Sequence, residues 1–106
     1  MNARPAVPTI YNLTLAAADT EYSFSLPAGV VGLMFKSRNG LDIRWAWATG
    51  KVATPTAPFA TLEAGQIYNL PASAVAGIAS GSPPVLYLAT DDAGGDVAEI
   101  EVWTTG

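Results

Sequence analysis

Residues 20–47 read TEYSFSLPAGVVGLMFKSRNGLDIRWAW, and the rhythm of polar and apolar side chains within them decides the fold class. Tyr22, Phe24 and Leu26 fall on one side of an extended chain, with Glu21, Ser23 and Ser25 on the other. Ile43, Trp45 and Trp47 likewise share one side, with Asp42, Arg44 and Ala46 opposite. A strand sends successive side chains to opposite faces, so a period of two marks half-buried β-strands. Between these two strands, Val31, Leu33 and Phe35 line one side of residues 30–36 while Val30 and Met34 line the other. Apolar character on both faces predicts a central strand or one covered by a partner. Pro27-Ala28-Gly29 supplies turn chemistry, and Asn39-Gly40 predicts a hairpin with a type I′ turn.

Working outward, residues 9–15 alternate with Tyr11, Leu13 and Leu15 on one side. Residues 59–62 and 66–70 read as a second hairpin about Glu63-Ala64-Gly65, and residues 85–90 as a further strand. Residues 97–103 place Ala98, Ile100 and Val102 on one face and Glu99 and Glu101 on the other. The 48–58 segment has no sustained period and contains Pro55 and Pro58, which predicts a long loop. Residues 71–84 are rich in small side chains and read as irregular. About eight strands at roughly ten-residue spacing, without a convincing helix, predict an all-β antiparallel β-sandwich, jelly-roll-like if the strands wrap that way. Pro5 and Pro8 make residues 1–8 an extended N-terminal arm on a single domain spanning 9–106.

Composition narrows the chemistry. The 106 residues include neither His nor Cys, which removes the usual general base, disulfides, thiolate nucleophiles and zinc–thiolate sites. Half the residues are apolar and only 13% are charged, so a packed core is expected rather than disorder. No apolar run approaches the roughly 20 residues that span a bilayer. The opening residues show no apolar stretch of signal-peptide length, so synthesis in a cytoplasm is expected. The net charge of −4 argues against binding a phosphate backbone. All five basic residues lie in the first 51 positions, and residues from 52 onward hold six acidic and no basic side chains. Such a split either serves solubility alone or draws opposite ends of neighbouring copies together.

Candidate sites are few, and each has a plain structural alternative. Lys36-Ser37 sits at a strand end, where a solvated lysine is the ordinary role, and nothing in the spacing of the acids selects a catalytic pair. The acidic turn at 91–96 offers oxygen ligands to a cation, but Asp and Gly also make ordinary tight turns. Trp45 and Trp47 are suited to stacking on a sugar ring, although their alternation favours core packing. Trp103 is placed to cover the rim of the core or a seam between subunits. Asn12-Leu13-Thr14 fits a glycosylation consensus and is better read as a chance match within a strand. Neither an enzyme nor a cofactor is expected.

The segments Thr14-Leu15, Asp19-Thr20-Glu21-Tyr22, Leu26-Pro27, Lys36-Ser37-Arg38-Asn39-Gly40 and Asp42-Ile43-Arg44 resemble small virion proteins of tailed bacteriophages. Those proteins pair a T-E-Y-x-x-x-L-P opening with an S-R-x-G-x-D-I-R hairpin. The resemblance continues through Thr61-Leu62-Glu63-Ala64-Gly65 and Leu86-Tyr87-Leu88-Ala89 to Ala98-Glu99-Ile100-Glu101-Val102-Trp103, and leaves out residues 72–84. It implies a structural component present in many copies, in particular a capsid decoration or cement protein. Its implied partners are the major capsid protein or other virion proteins on the capsid exterior, and further copies of itself. A tail, neck or fibre-attachment role is an alternative, as is a carbohydrate- or receptor-binding module, which exposure of Trp45 or Trp47 beside polar neighbours would favour. For an adhesive role the expected contact residues are Arg4, Pro5, Val7 and Pro8 in the arm. In the long loop they are Lys51, Val52, Pro55, Pro58 and Phe59.

Overall fold

The computed structural model describes residues 6–27, 29–70 and 85–105, and these contain eight strands and no helix. The strands are β1 (Ala6–Leu15), β2 (Tyr22–Ser25), β3 (Val30–Ser37), β4 (Ile43–Ala46), β5 (Ala60–Leu62), β6 (Ile67–Leu70), β7 (Val85–Ala89) and β8 (Asp96–Thr105). They form a β-sandwich of two four-stranded antiparallel sheets, ordered β1-β8-β3-β6 and β2-β7-β4-β5. The first strand pairs with the last, the second with the seventh, the third with the sixth and the fourth with the fifth. Lateral pairing of β3 with β8 and of β4 with β7 completes the two sheets.

The apolar halves of the alternating strands meet between the sheets. Leu15, Phe35, Ile43, Leu86, Leu88 and Ile100 are fully buried there, and removing each from water contributes roughly 1.5–3 kcal/mol. Trp45 belongs to this core: its ring lies 5.8 Å from Phe35, edge to face, and 4.5 Å from Tyr68. Burial beside these rings pushes the Tyr68 hydroxyl pKa up. β3 is central, between β8 and β6, as its two apolar faces predicted.

Five expectations need correction. β1 begins at Ala6, so residues 6–8 are not an arm: Ala6, Val7 and Pro8 oppose Thr105, Thr104 and Trp103. Pro8 is tolerated because β1 is an edge strand, where a missing N–H need not break a ladder; residues 1–5 lie outside the described residues. In β3 a bulge between Val30 and Gly32 reverses the expected parity, so Val30 is buried and Val31 is exposed.

The Asn39-Gly40 turn does not close a hairpin. β3 already has β6 and β8 as neighbours and β4 has β5 and β7, so the turn arches from one sheet to the other. Gly40 has φ +69°, but Asn39 is not in the left-handed region that a type I′ turn requires. The turn between β5 and β6 arches between the sheets in the same way. Finally, Ala46 points away from the main core yet is buried, because the loop that follows folds back over it. The irregular stretch expected at 71–84 lies outside the described residues.

Candidate adhesive surface

The loop between β4 and β5 is fixed to the outer face of its sheet by one apolar plug and several polar ties. Val52 is fully buried against Ala46 and Ala89, with Tyr87 packed beside them. Arg44, on the outer side of β4, donates from Nε to the Val52 carbonyl at 2.7 Å and from Nη2 to the Ala53 carbonyl at 3.2 Å. The same Nη2 reaches Asp19 Oδ1 at 2.6 Å, and the Arg44 side chain is only 12% exposed. At the start of β2, the Glu21 carboxylate accepts from Thr49 Oγ1 at 2.7 Å and from the Gly50 N–H at 2.8 Å. Charge-assisted bonds of this kind are the stronger class of hydrogen bond, and here they anchor a segment that has no ladder of its own.

Where this loop leaves β4 and rejoins the sheet at β5, it encloses an open cleft of about 340 Å³ lined by Trp45, Ala46, Trp47, Ala48, Pro58, Phe59 and Ala60. Trp47 stands edge to face against Trp45, with ring centroids 6.1 Å apart. Trp47 and Phe59 are each 37% exposed. Every lining residue is apolar, so the cleft can bury an apolar side chain. Beyond the indole N–H groups of its two tryptophans it offers no side-chain partner to the hydroxyls of a sugar, and unpaired polar groups are costly to desolvate.

The expected contact residues are not gathered in one place. Pro58 and Phe59 line the cleft, and Pro55 is exposed nearby in the loop. Lys51 is half-buried, and Val52 is withdrawn from any partner because it plugs the loop onto the sheet. Val7 and Pro8 are exposed on β1, at the edge of the sandwich away from β5. Arg4 and Pro5 lie outside the described residues. Its alternation places Trp47 in the core, but β4 ends at Ala46 and leaves it at the mouth of the cleft. The Ala-Thr-Gly that follows it was the available signal that the strand had ended.

The opposite end of the sandwich is polar and closed. Ser37, buried at the end of β3, donates from Oγ to Asp96 Oδ2 and accepts from the Leu41 N–H at 2.9 Å. Asp96 Oδ1 in turn accepts from the N–H groups of Val97 at 2.7 Å and Asn39 at 3.3 Å. Asp92 Oδ2 accepts from the Gly94 N–H within its own turn, so these two carboxylates brace the backbone rather than converge on a cation. No group of three or more carboxylate, His or Cys side chains is gathered among the described residues.

One acid of the second half of the chain, Glu99, pairs with two bases of the first. Glu99 meets Lys36 at 3.5 Å and Arg38 at 2.9 Å, because β8 lies beside β3. The hydrogen bond from Arg38, aided by both positive charges, holds the Glu99 pKa below its ordinary value. No helix of the described residues is long and apolar enough to cross a membrane. No protein-family model, curated protein or solved structure matches this chain.

Proposed function

We propose that this protein is a structural component of a bacteriophage virion, and in its most specific form a capsid decoration or cement protein. It would hold to the assembled shell through repeated apolar contacts. The observation that carries the adhesive part is the cleft between Trp47 and Phe59, lined by apolar and aromatic residues and mounted on a loop pinned by Val52 and Arg44. A pre-ordered apolar recess loses little entropy on docking, and many weak copies on one particle gain strength through multivalency. The virion part rests on the sequence resemblance. The pairing of first strand with last, inward to the fourth with the fifth, is consistent with a jelly roll, an architecture common to capsid and lectin domains. The apolar lining weighs against the lectin alternative.

Co-sedimentation with expanded empty capsids tests the proposal. Wild-type protein is expected to pellet with shells, and the Trp47→Ala/Phe59→Ala variant to do so at least tenfold less tightly. Failure to associate with any capsid state would overturn the decoration reading, and quenching of tryptophan fluorescence by members of a glycan panel would favour the sugar-binding module.

A further inference from the structure

The two sheets of the sandwich have four edges, and they are unequal. β2, β5 and β6 are four, three and four residues long, whereas β1 runs for ten. Short edges protect a sheet from joining another, and a long uncharged one invites pairing. β1 contains no charged residue, and among the described residues it pairs on one side only, with β8. Ile10 is 66% exposed and Val7 45%.

The direction of the free backbone groups follows from the register. The Val97 carbonyl faces β3, where it accepts the Arg38 N–H at 2.9 Å. Along an antiparallel strand the N–H and C=O of each residue point to the same side and switch sides at the next residue. Odd-numbered residues of β8 therefore address β3 and even-numbered ones address β1. Pro8, Ile10, Asn12 and Thr14 oppose the odd-numbered Trp103, Glu101, Glu99 and Val97, so their backbone groups point away from β8. Pro8, which has no N–H to offer, thus interrupts only the outer side.

We propose that two copies of this chain pair β1 against β1 in antiparallel fashion about a twofold axis, joining their β1-β8-β3-β6 sheets into one continuous sheet. The occupant of the edge is a second copy because β1 of another molecule matches it in length, carries no charge that would repel it, and has its own free side among the described residues. With one such edge per chain, pairing closes at two and cannot propagate. Centring the pair on Asn12 sets Ile10 opposite Thr14 of the other copy and keeps Pro8 out of the shared ladder. This inference goes beyond the adhesive reading and does not depend on it.

Sedimentation equilibrium of the full chain at micromolar concentration tests it. A dimer is expected. Ile10→Lys/Thr14→Lys sets like charges opposite one another at two symmetric places and should weaken association by roughly tenfold or more. Ile10→Lys/Thr14→Glu sets opposite charges there and should retain the dimer. A monomeric wild type overturns the proposal, as does a dimer indifferent to the Lys/Lys variant or lost equally in the Lys/Glu variant. A monomer that instead takes up an extended segment of another protein along β1 also overturns it. A monomer that pellets with shells would sink the dimer alone, and a dimer that ignores shells would sink the virion reading alone.

Discussion

The end of the sandwich that carries Ser37 and Asp96 and the end that carries Trp47 and Phe59 solve opposite problems. At the first, two strands from different sheets must be joined by a tight arch, and buried polar groups hold that arch by satisfying one another completely. At the second, the long loop is satisfied on its inner side by Val52, Arg44 and Glu21, which leaves a cleft lined by apolar and aromatic residues. The difference teaches that at both ends the polar side chains tie down backbone, and that only at the second is aromatic surface left open.

Breaking the polar end should cost most. Asp96→Ala removes the acceptor shared by Ser37, Asn39 and Val97 and should destabilise the fold by about 3 kcal/mol, since buried donors would be left unpaired. Urea unfolding measures this, and a loss below about 1 kcal/mol would contradict the bracing role. Gly95→Ala follows at about 2 kcal/mol, since Gly95 has φ +77° and an added Cβ would lie 2.8 Å from the Leu15 carbonyl oxygen. The same unfolding curves report it.

At the other end, Val52→Ala empties the plug and should cost about 1.5 kcal/mol, with faster proteolytic cleavage within residues 47–59 as a second readout. Trp47→Ala/Phe59→Ala should cost about 1 kcal/mol of stability, because each residue keeps more than a third of its surface exposed at the mouth of the cleft, while losing most capture by shells. A large loss of stability here would show that the aromatic surface serves the fold.

The smallest effect concerns pH. Because Arg38 and Lys36 depress the Glu99 pKa in the folded state, the stabilisation they confer is present above the unfolded value near 4.5 and is lost as pH falls through the lower folded value. Glu99→Gln should therefore flatten the acid side of a plot of Tm against pH and leave the neutral side almost unchanged. A steeper acid side would contradict the assigned sign.

The alternation in residues 20–47 and 97–103 was enough to read an all-β sandwich. A period of two has one physical meaning, and the side chains it nominated at Phe24, Ile43, Trp45 and Ile100 do face the core. The turn at Asn39-Gly40 was also legible as a turn, but not as an arch. Hairpin and arch use similar residues, and what separates them is whether the flanking strands already have neighbours on both sides. Val31 departs from its expected face for a comparable reason, since one bulged residue reverses parity without leaving a mark in the side-chain pattern.

The amino-acid sequence by itself determined the class of fold, the absence of His and Cys chemistry, and the strands that build the core, because those depend on composition and local periodicity. Only the tertiary structure decided that Val52 is a plug while Trp47 and Phe59 face outward, that Glu99 pairs with two distant cations, and that β1 is the long open edge among the described residues. Each of these depends on which strands become neighbours, and that is settled by pairings between residues far apart in the chain.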